Sequence, residues 1–172
     1  PLVDYLPFVK WFTPITSGYT SGQEIKRFRL REQKIAPLIC FEDMFPHHVR
    51  DHVDADTDFL VNLTNDGWFG NTTGPRQHFH MSRVRAVEEG LPLLRAGNNG
   101  ISAIANSYGG TEFALELNAH GTIDANLPPR IPAPVYARYG DLLFAGILFA
   151  IVCAVALRTR TLFFSDRFCD VQ

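Results

Sequence analysis

Lys34-Ile35-Ala36-Pro37-Leu38-Ile39-Cys40-Phe41-Glu42-Asp43 is an apolar run of strand length that stops at a cysteine, with a carboxylate two residues further on. A cysteine placed where a strand ends and the chain turns can project its sulfur out of a sheet and into a cleft. Thiolate is the reactive species, and backbone N–H groups just past the strand can stabilise it, so Cys40 is a candidate nucleophile. The competing interpretation is a small core hydrophobe, the commonest use of cysteine in an apolar run. Glu42 also has two meanings. Extended alternation sets it on the same side as Cys40, whereas a turn at Phe41 lets it cap the helix that follows.

Working outward towards the N-terminus, Ile25, Phe28 and Leu30 alternate with Lys26, Arg27 and Arg29. That alternation predicts a half-buried strand turning at Glu32-Gln33 and pairing with residues 35–40 as a hairpin. Residues 1–23 mix Pro, Gly and aromatics and read as an irregular surface or lid segment. In the other direction, residues 46–52 are helical in composition, with Phe45, Val49 and Val53 on one face. Asp54, Asp56 and Asp58 alternate in a solvated loop, since Phe59 and Asn65 stand where a calcium loop needs Gly and Glu.

Residues 59–63 predict a buried strand ended by the turn Asn65-Asp66-Gly67. Trp68 and Phe69, between Gly67 and Gly70, read as an aromatic rim on a mobile loop. A helix is expected over residues 75–89, opened by Pro75, with His80, Val84, Val87 and Leu91 as its stripe and an Arg85–Glu88 pair bracing it. Residues 91–96 and 101–106 form a hairpin through Gly97-Asn98-Asn99-Gly100, and two weaker strands follow around 113–117 and 122–125.

The composition then shifts. Leu127-Pro128-Pro129-Arg130-Ile131-Pro132-Ala133-Pro134 is a stiff, extended linker that cannot enter a central strand. Residues 142–157 carry no charge between Asp141 and Arg158. They span about 24 Å as a helix against a hydrocarbon core of roughly 30 Å. Tyr139 at one end and snorkelling Arg158 and Arg160 at the other can make up the difference, so a transmembrane helix is expected. Arg130 and Arg138 lie upstream of it and Arg158, Arg160 and Arg167 downstream, which points to a cytoplasmic C-terminus and an extracytoplasmic domain.

The 172 residues suffice for one domain or part of a larger one, and 16 basic against 18 acidic side chains leave no electrostatic footprint for nucleic acid. Three widely separated cysteines (Cys40, Cys153, Cys169) offer neither a disulfide framework nor a CxxC site. His47, His48, His52, His78 and His80 show no HExxH spacing, so no metal is expected. No GxSxG elbow is present. The chain begins mid-pattern at Pro1 and is expected to be a C-terminal fragment.

Several ordered motifs resemble one family: Pro37-Leu38-Ile39-Cys40-Phe41-Glu42, Asn62-Leu63-Thr64-Asn65-Asp66-Gly67-Trp68-Phe69-Gly70, Gly74-Pro75-Arg76-Gln77-His78, Arg83-Val84-Arg85-Ala86-Val87-Glu88, and Pro92-Leu93-Leu94-Arg95 with Asn98-Asn99-Gly100-Ile101-Ser102. Over roughly residues 30–157 they are similar to the apolipoprotein N-acyltransferases, the membrane-embedded branch of the nitrilase (carbon–nitrogen hydrolase) superfamily. The resemblance implies an α/β fold, a nitrilase-like α-β-β-α sandwich present in part. Residues 1–126 would be its catalytic domain, 127–141 the linker, 142–157 the C-terminal transmembrane helix and 158–172 a cytoplasmic tail.

It also implies a Glu–Lys–Cys triad in the bacterial inner membrane, with the catalytic domain periplasmic. The Cys takes an acyl chain from a phospholipid donor as a thioester and passes it to the diacylglyceryl-cysteine amine of an apolipoprotein acceptor, with no cofactor. By position Cys40 is the nucleophile and Glu42 the supporting acid. Phe41 is the residue whose N–H faces the oxyanion, and Trp68 and Phe69 guard acyl-chain entry. The family's base Glu and its Lys lie upstream of the Cys, and none of Lys10, Lys26 and Lys34 stands in the expected motif. The chain is therefore expected to be catalytically incomplete. The alternatives are a membrane-anchored amidase or nitrilase hydrolysing a C–N bond, and a non-catalytic remnant with an inert Cys40.

Overall fold

The computed structural model describes residues 28–169, and the side chains of residues 28–158. The segment expected to be a lid (1–23), the first residues of the expected first strand (25–27) and residues 170–172 lie outside the described residues.

Six strands form one mixed sheet in sequence order: β1 Phe28–Leu30, β2 Gln33–Ile39, β3 Phe59–Asn65, β4 Leu93–Asn98, β5 Ser102–Ala105 and β6 Thr111–Leu115. The hairpins β1–β2, β4–β5 and β5–β6 are antiparallel, while β2–β3 and β3–β4 are parallel. Parallel neighbours require crossovers, and helices supply both. α1 (Pro46–His52) joins β2 to β3, and α2 (Gly74–Glu89) joins β3 to β4. Each has a proline in its first turn, where a missing N–H costs nothing. α2 stops at Gly90, whose φ of 69° is the left-handed cap that glycine adopts without strain.

Strand periodicity sorts the side chains. Ala36, Leu38, Leu60 and Leu93 point to the helix-covered face and form the core with Val49 of α1 and Ala86 of α2. Further along the same face, towards the C-terminal ends of the parallel strands, the buried residues turn polar: Asn62, Thr64 and Arg95. On the opposite face, Ile39 and Leu63 remain about half exposed. The described residues thus make one sheet with helices on one face, half of the expected sandwich.

Three expectations are corrected. No strand forms around 122–125; residues 116–134 contain neither helix nor strand. The buried stripe of α2 is not His80, Val84, Val87 and Leu91, since His80 and Val87 are exposed. Its buried face is Pro75, His78, Phe79, Ser82, Arg85, Ala86 and Glu89, more polar than apolar. The loop at Asp66–Phe69 is a short 3-10 helix. The Arg85–Glu88 pair does form, at 3.1 Å.

The proline-rich linker is extended, and it is also docked. Ile131 N–H donates to Gly90 O (2.9 Å), Ser107 Oγ donates to Pro129 O (2.8 Å), and Arg130 Nη1 donates to Ala55 O and Thr57 O (2.9 and 3.0 Å). Beyond it, α3 (Val135–Tyr139) is held by Arg50, which donates to Tyr136 O and stacks over the Tyr136 ring at 5.1 Å. α4 (Leu142–Cys169) follows. Through Leu157 it has no polar face, and Leu142, Phe144, Ile147, Phe149 and Leu157 are each more than 60% exposed. Among the described residues, no helix is long and apolar enough to cross a membrane.

Candidate active site

Strands β2, β3 and β4 run parallel, so their C-terminal ends meet at one edge of the sheet, the usual ligand-binding edge of open α/β sheets. β2 delivers Cys40 there. Ile39 is still extended, but Cys40 has φ = 51° and begins a 3-10 helix running to Met44. A non-glycine residue in the left-handed region is strained by about 1–3 kcal/mol and persists only where neighbours hold it. Two bonds brace the turn: Asn62 Nδ2 donates to Cys40 O at 3.0 Å, and Ile39 N–H donates to Glu42 Oε2 at 2.6 Å. Cys40 lines an open groove of about 710 Å³ with Ile39, Leu63, Trp68, Asn65 and Asn98 among its walls.

The residues singled out from the sequence divide around this groove. Trp68 is 87% exposed and lines it beside Cys40. Phe69 turns inward and lies against Gly74, where a Cβ would come within 2.7 Å of its ring. Phe41 stacks on the His78 imidazole (centroids 4.9 Å apart, planes at 14°) and tilts against Phe69 at 5.8 Å. Glu42 caps the turn through Ile39 and faces His48 Nε2 at 3.7 Å, the capping role its position allowed.

Behind Cys40 lies a buried polar cluster that the sequence reading did not assemble. Asp43 and Asp66, both at zero side-chain exposure, flank His78: Nε2 lies 3.0 Å from Asp43 Oδ1 and Nδ1 lies 2.8 Å from Asp66 Oδ1. Both ring nitrogens face carboxylate oxygens, which favours the charged form of the ring, while Arg95 Nη2 lies 3.1 Å from Nδ1. Burial works against that charge and Arg95 repels it, but the hydrogen bonds from Asp43 and Asp66 outweigh them and hold the His78 pKa above its ordinary 6.5.

Arg95 lies across the same carboxylates. It reaches Asp66 Oδ2 at 2.8 Å and Asp43 Oδ2 at 3.4 Å, and donates to Asn62 Oδ1 at 2.8 Å and Ser82 Oγ at 2.6 Å. Ser82 in turn donates to Asp43. Two carboxyl groups, a histidine and an arginine thus satisfy one another in a buried site. Gly100 completes the enclosure, because a methyl group there would overlap the Asp66 carboxylate. The available signals were Asn62 inside an otherwise apolar strand and an arginine directly after Leu93-Leu94. Buried polar residues of that kind need partners.

Residues 5–130 match the carbon–nitrogen hydrolase family, and the chain belongs to it. Within that class its relatives are apolipoprotein N-acyltransferases. The chain is 48% identical over 124 residues to the Bradyrhizobium diazoefficiens protein, covering 72% of this chain and 23% of that one. It is 40% identical over 161 residues to the Rickettsia prowazekii protein, covering 88% and 31%. The chain thus spans about a quarter to a third of the length of these curated relatives. Among solved structures, an amidase variant from Nesterenkonia sp. AN1 with acrylamide added at its active-site cysteine superposes with a TM-score of 0.50. It is 17% identical, covering 76% of this chain and 51% of that one. The fold is a nitrilase-like α/β fold with a mixed sheet.

Proposed function

We propose that this chain is part of an N-acyltransferase that moves an acyl chain from a phospholipid to the N-terminal diacylglyceryl-cysteine of apolipoproteins through a thioester on Cys40. The observation that carries the proposal is Cys40 itself. It is held in a left-handed turn at the end of β2 and lines a groove whose walls include the apolar Ile39, Leu63 and Trp68. Those apolar walls favour an acyl chain.

In the proposed reaction the Cys40 thiolate attacks the carbonyl carbon of the sn-1 ester. A C–S bond forms and the C=O π pair moves onto oxygen, opposite the Phe41 N–H. Collapse of that oxyanion breaks the C–O bond, and the lysophospholipid alkoxide leaves with a proton from the general acid. The free amine of the acceptor then attacks the thioester and gives its proton to the base. The C–S bond breaks and the thiolate is restored. Glu42 serves by bracing the turn, and Trp68 and Phe69 shape the entrance.

The base and the lysine have to come from outside residues 28–169. Lys34, the only lysine among the described residues, stands at the far end of β2 and pairs with Asp56 at 2.7 Å. The described residues alone are therefore inactive under this proposal. The apolar part of α4 is assigned to the inner membrane, its side chains exposed all round as lipid contact requires, with the catalytic domain periplasmic.

The full-length protein, incubated with acyl-labelled phospholipid, should carry a hydroxylamine-sensitive label on Cys40, and Cys40→Ala should lose both the label and acyl transfer. Transfer that survives Cys40→Ala would end the proposal.

A further inference from the structure

The Cys40 carbonyl and the Phe41 N–H are the two ends of one peptide group, and a peptide group is planar. Whatever fixes the direction of Cys40 O therefore fixes the direction of the Phe41 N–H on the opposite side. Cys40, at φ = 51°, lies outside the geometry of the strand before it, so the sheet does not set this peptide's orientation. Beside the 3-10 turn that Cys40 opens, a side chain reaches it. Asn62 is completely buried in the middle of β3 and donates through Nδ2 to Cys40 O at 3.0 Å. Its other end is equally committed: Oδ1 accepts from Arg95 Nη1 at 2.8 Å, across the β3–β4 register pair Asn62–Arg95. Arg95 cannot swing, since Asp66, Asp43 and Ser82 hold it. The amide has one orientation, acceptor to the arginine and donor to the carbonyl.

We propose that Asn62 is a positioning residue for acyl transfer: clamped by Arg95, it grips the Cys40 carbonyl and so aims the Phe41 N–H at the oxyanion. A hydrogen bond accepted by a peptide carbonyl also polarises the group and makes its N–H a stronger donor. Asn62 touches neither substrate nor sulfur, and its effect passes entirely through that peptide. The inference rests on the acyl-transfer proposal and extends it to a residue on the strand next to the arginine that anchors it.

Asn62→Asp separates the functions of the amide. It keeps an oxygen for Arg95 but turns an acceptor towards Cys40 O in place of the donor. Two reactions of Cys40 are followed in full-length protein in phospholipid vesicles. One is acylation by phospholipid, which passes through an oxyanion. The other is alkylation by iodoacetamide, a displacement at carbon that forms none, read by mass spectrometry of the Cys40 peptide. Asn62→Asp should slow acylation about tenfold to a hundredfold, below the roughly 10²–10³ lost when an oxyanion-hole donor is removed outright. KM for phospholipid and the alkylation rate should stay as in the wild type.

Unchanged acylation overturns the inference. So does a parallel loss of both reactions, which would make Asn62 only a support for the turn. If Asn62→Asp does not accumulate, Asn62→Ser, smaller and neutral, is read the same way. A wild-type protein that alkylates at Cys40 but never acylates there removes the acyl-transfer proposal itself, an outcome distinct from either of these.

Discussion

His78 is the one residue of the buried cluster whose charge can change near neutral pH, and the direction follows from its surroundings. Its folded pKa lies above 6.5, because two carboxylates outweigh the effects of burial and Arg95. A histidine raised in this way contributes stability that is fully present below its unfolded pKa. The contribution is lost as pH rises through the folded value. The thermal midpoint of the full-length protein should therefore fall from about pH 6.5 upward, and the fall should be smaller in His78→Gln, which cannot ionise. Scanning fluorimetry across that range compares the two, and identical slopes would show that the ring is neutral when folded. Much of this was hidden in the sequence. Asp43, Asp66, His78 and Arg95 are spread over 53 positions, and only the sheet register brings them together. Cys40 could be singled out as a candidate because its strand and its turn are contiguous.

Among the elements, β2 to β5 and both crossover helices could be read from the chain, since strand alternation, Pro46, Pro75 and the Gly97–Gly100 turn are local signals. The face of α2 could not. Pattern reading assumes that the buried side is the apolar side, and α2 reverses this by turning His78, Ser82, Arg85 and Glu89 inward. Burial even lifts the Glu89 carboxyl above its ordinary pKa, with the repulsion of neighbouring Glu88 adding to the effect. The consequence is measurable. Leu38→Ala, at a fully buried core position, should cost about 2–5 kcal/mol. Val87→Ala, on the stripe that periodicity marks as core, should stay within about 0.5 kcal/mol because that side chain is 44% exposed. Chemical denaturation of the two variants checks this, and a costly Val87→Ala would restore the apolar stripe.

At the level of the whole molecule, the sheet domain and α4 differ in what surrounds them. One has a closed core, and the other exposes apolar side chains around its full circumference. If α4 crosses the membrane in the proposed direction, alkaline phosphatase fused after Gly140 should be active, because its disulfides form outside the cytoplasm, and a fusion after Gln172 should be inactive. Activity at both positions would mean that the helix does not cross. The linker between them gave a partial signal in sequence: its prolines declared it extended, but the contacts of Ile131 with Gly90 and of Arg130 with Ala55 and Thr57 are long-range and left no local mark. Those contacts leave no slack between the sheet and α4. If α4 crosses a bilayer as proposed, a tether of free coil would let the domain wander over its surface, whereas this docked one would act as a bracket.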